Sequence, residues 1–138
     1  MQHGRTDAAG WGGILSAAAK TRGLAGVIVD GAARDIDESR ELEFPIFARS
    51  ATPMTARNRI VEESTNEPVI IGRIVVHPGD LVLADGSGVV FLAAAEAEEA
   101  IAGAEMIAGR EALMKAAVLQ GDPVTEVMGR DYEQMLAR

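Results

Sequence analysis

The chain has 138 residues, 48 % of them hydrophobic, enough for one domain with a real buried core. Twenty-one acidic residues against 13 basic ones leave a net charge of −8, which opposes the attraction that draws proteins to nucleic acids and anionic membranes, so neither is an expected partner. The absence of cysteine excludes disulfides, thiolate metal sites and cysteine nucleophiles, and two histidines remain as proton carriers near neutral pH.

No charged-then-apolar leader opens the sequence, and no apolar run approaches the roughly 18 to 20 residues of a membrane span, so a cytoplasmic location is expected. Residues 1–11 lack apolar periodicity. Gly12 and Gly13 then precede ILSAAAKTR, a helix-forming run that Gly23 should stop. LAGVIV (24–29) reads as a short strand, apolar on both faces as in a strand covered on both sides. A polar turn is expected over 30–35, then a short helix IDESREL with Asp35 or Asp37 near its start, then the strand FPIFA (44–48). This is a β-α-β rhythm. From Pro68 onward PVIIGRIVV, DLVLAD and GVVFL are β-rich runs separated by the turn sequences HPGD and DGSG. A long alanine-rich helix ended by Gly121 follows, with an apolar seam of Ile101, Ala104, Ala108, Leu113 and Val118, and a last short helix is expected around 132–136.

The stretch GVIVDGAARD (26–35) carries the chemistry. Arg34 offers a planar, permanently charged fork suited to a carboxylate or phosphate, and Asp35 a hard oxygen ligand for a divalent cation. Upstream, Gly12, Gly13, Ile14 and Leu15 open a helix, whose first-turn N–H groups and dipole can hold an anion while the glycines permit close approach. An Arg-Asp step after a strand is also what a solvated turn or helix cap looks like.

Nearly the whole chain, from GGILSAAAKTRGLAGVIVDGAARDIDESRELEFPIFARSATP to PVIIGRIVVHPGDLVLADGSGVVFL, resembles the family of the ribonuclease regulator RraA and the class II pyruvate aldolases acting on 4-hydroxy-4-methyl-2-oxoglutarate and 4-carboxy-4-hydroxy-2-oxoadipate. In that family a G-x-x-L segment at a helix start meets the pyruvoyl group, and an R-D pair follows its glycine by 22 residues, as Arg34 follows Gly12 here. The resemblance implies backbone contacts to substrate from Gly12, Gly13, Ile14 and Leu15, a carboxylate or carbonyl clamp at Arg34, and Mg²⁺ or Mn²⁺ ligated by Asp35. It implies an α/β fold, a layered α/β/β sandwich of the swivelling-domain (RraA-like) kind, assembled as homotrimers or homohexamers with sites between subunits. Two departures stand out. Read as one RraA-like domain over 1–138, the chain is expected to start inside the pattern and to miss an N-terminal portion of it, and glycine stands at position 13 where many of the aldolases carry an acidic residue. For a carboxylate from the C-terminal helix of a neighbouring subunit, Glu111 is the first placement and Glu105 the second; a solvated helix face is the simpler reading of both.

The activity implied is a divalent-metal-dependent lyase that cleaves 4-hydroxy-2-oxo diacids to pyruvate, with oxaloacetate decarboxylation through the same stabilised enolate. Neither His3, near the terminus, nor His77, in the HPGD turn, is placed as a general base, and a water fits that role better. Lys20 lies in the exposed pattern of the first helix, which argues against a Schiff base. Asp80 and Asp85 read as turn residues, Trp11 as packing beside the GGIL segment, and Arg49, Arg57 and Arg59 as a solvated loop. The alternative function is a non-catalytic regulator that binds a ribonuclease, a class of the same fold with the arginine but no aspartate at the metal position; Asp35 favours the enzyme.

Overall fold

The structure, a computed structural model, describes residues 3–129, and the chain forms two compact units, Met1–Ala93 and Ala94–Arg138. The first unit opens with β1 (Arg5–Trp11), α1 (Gly13–Thr21), β2 (Val27–Ala33), α2 (Ile36–Glu41) and β3 (Ile46–Ala51). β2 runs parallel to both its neighbours, pairing Trp11 with Ala33 on one side and Val27 with Ile46 on the other. Parallel neighbours cannot be joined by a tight turn, so each link carries a helix.

β1 is the element that periodicity does not reveal. RTDAAGW has no run of branched apolar residues; its first half is exposed, and Ala8 and Ala9 are buried. Its register against β2 shifts twice, so pairing with a central strand, more than any propensity of its own, makes it a strand. β2 runs past the expected end at residue 29 and takes in Asp30 and Gly31, which shrinks the polar turn to Arg34 and Asp35. β3 starts later than expected and reaches Ala51, which puts Arg49 in a strand and not in a loop.

The core is made of small residues. Ala8, Ala9, Ala19, Ala32, Ala33 and Phe44 are its apolar part, and the hydroxyls of Ser16 and Ser39 lie within it. Gly13, Ser16 and Ala19, three residues apart, form the buried face of α1. Such short side chains bring α1 and α2 close enough for Ser16 Oγ to lie 2.8 Å from Ser39 Oγ. Trp11 stacks on Phe44 with ring centroids 6.2 Å apart and donates from Nε1 to Ser16 Oγ at 2.9 Å.

Two antiparallel hairpins complete the unit: β4 (Val69–Ile71) with β5 (Ile74–Val76), and β6 (Leu81–Ala84) with β7 (Val89–Leu92). PVIIGRIVV is therefore two strands. Gly72, at φ +64°, takes the first loop position of a two-residue turn, the place where a II′ hairpin needs glycine. The turn sequences behave as read: Asp80 Oδ2 accepts the His77 N–H at 2.7 Å, and Asp85 Oδ1 accepts those of Ser87 at 2.7 Å and Gly88 at 3.2 Å.

In the second unit, α3 (Ala97–Gln120) ends at Gly121, whose φ of +107° is the left-handed stop expected of it. Within this unit Met114, Val118 and Leu119 join Val124, Val127 and Met128 around α4 (Val124–Val127) to line an apolar hollow of about 370 Å³. The expected seam holds at its ends, Ile101 half-buried and Val118 lining this hollow, and fails between them, where Ala104, Ala108 and Leu113 are exposed. Ile107 and Met114 are half-buried, and Leu113 is 73 % exposed. Five-residue steps such as 108 to 113 to 118 walk off a helix face, whereas steps of three and four stay on it. The short helix expected around 132–136 lies outside the described residues. Among the described residues no helix is long and apolar enough to cross a membrane.

Asp30 holds the first unit together. Only 5 % exposed, its carboxylate accepts the Gly72 N–H at 3.2 Å and pairs with the Arg49 guanidinium, so β2, β3 and the first hairpin meet on one side chain. Burial pushes its pKa up, but hydrogen bonds from Arg49 and Gly72 and the charges of Arg49 and His3 outweigh this and bring it below the usual carboxylate value. A depressed folded-state pKa gives stability that is present above the unfolded value of about 3.9 and lost as pH falls through the folded one. Asp30→Asn should therefore cost about 1 to 3 kcal/mol at pH 7, towards the lower end because Arg49 is half solvated, and the deficit should shrink progressively as pH falls below about 3.9. Urea unfolding of the two proteins at both pH values measures this; equal midpoints at pH 7 would remove Asp30 from that role.

Candidate functional site

The loops that leave β1 and β2 meet at the start of α1. Gly12 caps that helix, and Arg34 N–H donates to Trp11 O at 2.9 Å, so the ends of the two strands are tied. Asp35 then takes the left-handed conformation, φ +55° and ψ +41°, which an aspartate tolerates better than most residues. This turn starts α2, yet the Asp35 carboxylate does not cap α2. It reaches across to α1, where Oδ2 accepts the Gly13 N–H at 3.0 Å and lies 3.5 Å from Arg34 Nε.

The pair of glycines is explained by close approach and not by unusual dihedrals, since Gly12 is extended at φ −160°. A Cβ on Gly12 would stand 2.9 Å from Asp35 Oδ2 and 3.0 Å from Arg34 Nε. A Cβ on Gly13 would meet Glu38 Oε2 at 2.2 Å. Gly12, Gly13, Arg34 and Asp35, singled out from sequence, are thus brought into mutual contact. Ile14 and Leu15 follow in the first turn, 81 % and 48 % exposed. Their N–H groups precede the first helical bond, from Ser16 N–H to Gly12 O at 3.0 Å, so they are donors without a helical acceptor.

Trp11, Gly12, Ile14, Leu15 and Arg34 line a cavity of about 110 Å³, with Ala9, Gly10, Thr55 and Ala56 closing it; Gly13 and Asp35 are not on its wall. Pockets for drug-sized molecules run to about 300 to 1,000 Å³, so this one suits a fragment of a few heavy atoms. Thr55 and Ala56 come from the loop after β3, held by the Ala9 N–H to Met54 O bond at 2.9 Å, and nothing in the sequence pattern marked them. Trp11 both packs and lines the cavity. Glu38 also went unmarked, though its place one helical turn after Asp35 was the available signal.

The donor set fits a divalent cation of the Mg²⁺ type. Asp35 Oδ1 has no hydrogen-bond partner among the described residues and is an open hard oxygen. Among them no group of three or more His, Cys, Asp or Glu is gathered anywhere, so water and substrate would complete the shell, as is usual for Mg²⁺ held by one or two carboxylates.

The remaining candidates are elsewhere. Lys20 is exposed and bonds Leu42 O, and His77 sits in its turn. Arg59 donates to Thr55 O and Arg57 O, both at 3.3 Å. Glu105 and Glu111 belong to α3 in the second unit.

The RraA-like family model, described as Aldolase/RraA, matches residues 1–91. A protein of Methanocaldococcus jannaschii is 32 % identical over 125 residues, covering 91 % of this chain and 60 % of its own. A 4-hydroxy-4-methyl-2-oxoglutarate aldolase of Thermus thermophilus is 37 % identical over 81 residues, 59 % of this chain and 49 % of its own. The crystal structure of Streptomyces coelicolor RraAS2, an unusual member of the RNase ES inhibitor RraA protein family, superposes with a TM-score of 0.72 at 32 % identity, over 83 % of this chain and 58 % of that one. The chain spans about half to three fifths of the length of these relatives. With a family match over most of its length and an RraA-like α/β fold, the chain belongs to the Aldolase/RraA family.

Proposed function

We propose that the chain acts as a divalent-metal-dependent pyruvate aldolase, a lyase that cleaves 4-hydroxy-2-oxo diacids to pyruvate, and that the same site decarboxylates oxaloacetate. The observation that carries this reading is that Arg34 and the first turn of α1 line one small cavity and that the Asp35 carboxylate is joined to both, accepting the Gly13 N–H and lying beside Arg34 Nε. The Arg34 fork binds the 2-oxo acid through its carboxylate and keto oxygens, and the free amides of Ile14 and Leu15, with the positive end of the helix dipole, favour negative charge at the same place. Mg²⁺ or Mn²⁺ held by Asp35 would add Lewis-acid stabilisation of charge on the keto oxygen.

Cleavage breaks the C3–C4 bond. Its electron pair passes into the pyruvoyl fragment as an enolate, the proton of the C4 hydroxyl leaves to water, and the C4 fragment departs as a carbonyl compound. Arg34 and the first-turn amides oppose the growing charge. With oxaloacetate, CO₂ departs in its place and the same enolate takes up a proton. The cavity accommodates the pyruvoyl end and leaves the rest of the diacid outside.

The relation to RNase ES inhibitors supports a second reading, a non-catalytic regulator that binds a ribonuclease. The open Asp35 oxygen beside Arg34 weighs for the enzyme. We also propose trimeric or hexameric assembly, supported by the small side chains along α3, which permit close packing of another subunit.

Asp35 has two separable duties. Asp35→Ala should lose Mg²⁺-stimulated pyruvate release from a 4-hydroxy-2-oxo diacid and also about 0.5 to 2 kcal/mol of stability, because the Gly13 amide loses its cap. Asp35→Asn keeps an acceptor for that amide and should lose turnover while melting like the parent; normal turnover by either variant would exclude Asp35 as the ligand. Arg34→Lys keeps the charge without the fork and should lower kcat/KM by about 30- to 1000-fold, about 2 to 4 kcal/mol. A lysine variant within about threefold of the parent would sink the clamp. Sedimentation should give a trimer or larger; a fully active 14.5 kDa monomer would count against sites shared between subunits.

A further inference from the structure

The sequence carries the dipeptide Asp-Gly twice, at Asp30–Gly31 and at Asp85–Gly86, and the fold treats the two in opposite ways. Asp30 and Gly31 are buried in β2, the central strand of the three-stranded sheet, and the Asp30 carboxylate is claimed by Arg49 and Gly72. Asp85 and Gly86 are exposed in the loop between β6 and β7, which form a two-stranded sheet of their own. A two-stranded hairpin is marginal by itself, so its tip opens at small cost, whereas Asp30 and Gly31 are released only when the larger sheet opens.

The closed loop is held by the Asp85 N–H to Gly88 O bond at 3.0 Å and by Asp85 Oδ1, which accepts from Ser87 and Gly88. The bonds from Ser87 and Gly88 hold the carboxyl below its usual pKa and so keep it ionised, which slows attack on it while the loop is closed. Gly86 N–H donates to nothing among the described residues, and no atom lies within 4 Å of where a Cβ on Gly86 would stand. The nitrogen that follows Asp85 is thus uncommitted, and its peptide has room to turn.

We propose that Asp85–Gly86 is a self-modification site, at which the folded chain closes a succinimide and reopens it as isoaspartate. The Gly86 nitrogen attacks Asp85 Cγ and gives up its proton, and a carboxyl oxygen leaves as water. Water then adds to the ring carbon that was the Asp85 main-chain carbonyl, the bond from that carbon to the Gly86 nitrogen breaks, and the chain continues through Cγ. One water is lost and one is gained, so no other reactant is needed. The main chain is then one atom longer and the carboxylate sits directly on Cα, so the bonds from Ser87 and Gly88 lose their geometry.

The test incubates the full chain at neutral pH, below its Tm, for the time in which a synthetic peptide LVLADGSGVV is half converted. Peptide mapping by electron-transfer dissociation locates the isoaspartate, and methyl transfer by a protein isoaspartate methyltransferase counts it. Isoaspartate at Asp85 should exceed that at Asp30 by at least about tenfold, because reaction at Asp30 waits on opening of the central sheet. Gly86→Ala places a side chain beside the attacking nitrogen without a clash, so its Tm should match the parent's while modification at Asp85 falls to the level at Asp30. A folded chain that stays unmodified at Asp85 over that time overturns the proposal, since the loop then protects the dipeptide. Equal modification at Asp30 and Asp85 overturns it too, by assigning the reaction to the unfolded chain, and so does Gly86→Ala modified as fast as the parent.

Discussion

Everything at the candidate site depends on two buried hydroxyls. Ser16 and Ser39, 0 % and 1 % exposed, touch across the contact between α1 and α2, and each also reaches the carbonyl of the residue that caps its own helix, Gly12 at 3.3 Å and Asp35 at 3.1 Å. The link therefore registers the starts of the two helices against each other. The two hydroxyls have two protons for these three contacts, so when one donates to the other only one cap carbonyl is held by a hydroxyl; a pair of apolar residues could fill the same volume but would hold neither. Trp11, donating to Ser16 and stacked on Phe44, ties the end of β1 into the same network.

Close helix contact needs small side chains, and the buried face of α1 is made of Gly13, Ser16 and Ala19. The cost is a core poor in large apolar groups, since among the described residues Phe44 is the one large side chain in the buried hydrophobic set. Stability in the first unit then leans on polar anchors, and Asp30 is the foremost of them. Asp30 and Asp35 are five residues apart with opposite duties. Asp30 lies inside a sheet with its charge matched by Arg49 and its oxygens occupied, while Asp35 stands in a strained turn with one oxygen open. Unmatched hydrogen-bonding capacity at a strained residue beside a cavity is a reason to look for a ligand; a satisfied buried pair is not.

The family contains both lyases and ribonuclease regulators, so fold alone does not choose between them. The choice rests on a local arrangement: a guanidinium on the cavity wall, an open carboxylate oxygen behind it, and free amides at a helix start. Each is a modest feature alone. Their proximity is the support for the enzyme reading proposed above.

Much of this was legible in the sequence. The β-α-β order, the turns at HPGD and DGSG and the stop at Gly121 follow from local propensity and spacing, because hydrogen bonds between near neighbours govern them, whereas the link between Gly12–Leu15 and Arg34–Asp35 came from the resemblance to a family. Tertiary structure decided the rest. β1 is a strand because β2 pairs with it, and the segment's own residues give no such signal. Asp30 proved to be an anchor because Gly72, 42 residues away, comes to its carboxylate. Asp35 caps the neighbouring helix and not its own, and the space above Gly13 is filled by Glu38; both facts depend on the distance between two helices. Sequence spacing sets which groups are neighbours along one element, but which groups meet across elements is set by packing, and here by the small residues that let α1 and α2 approach.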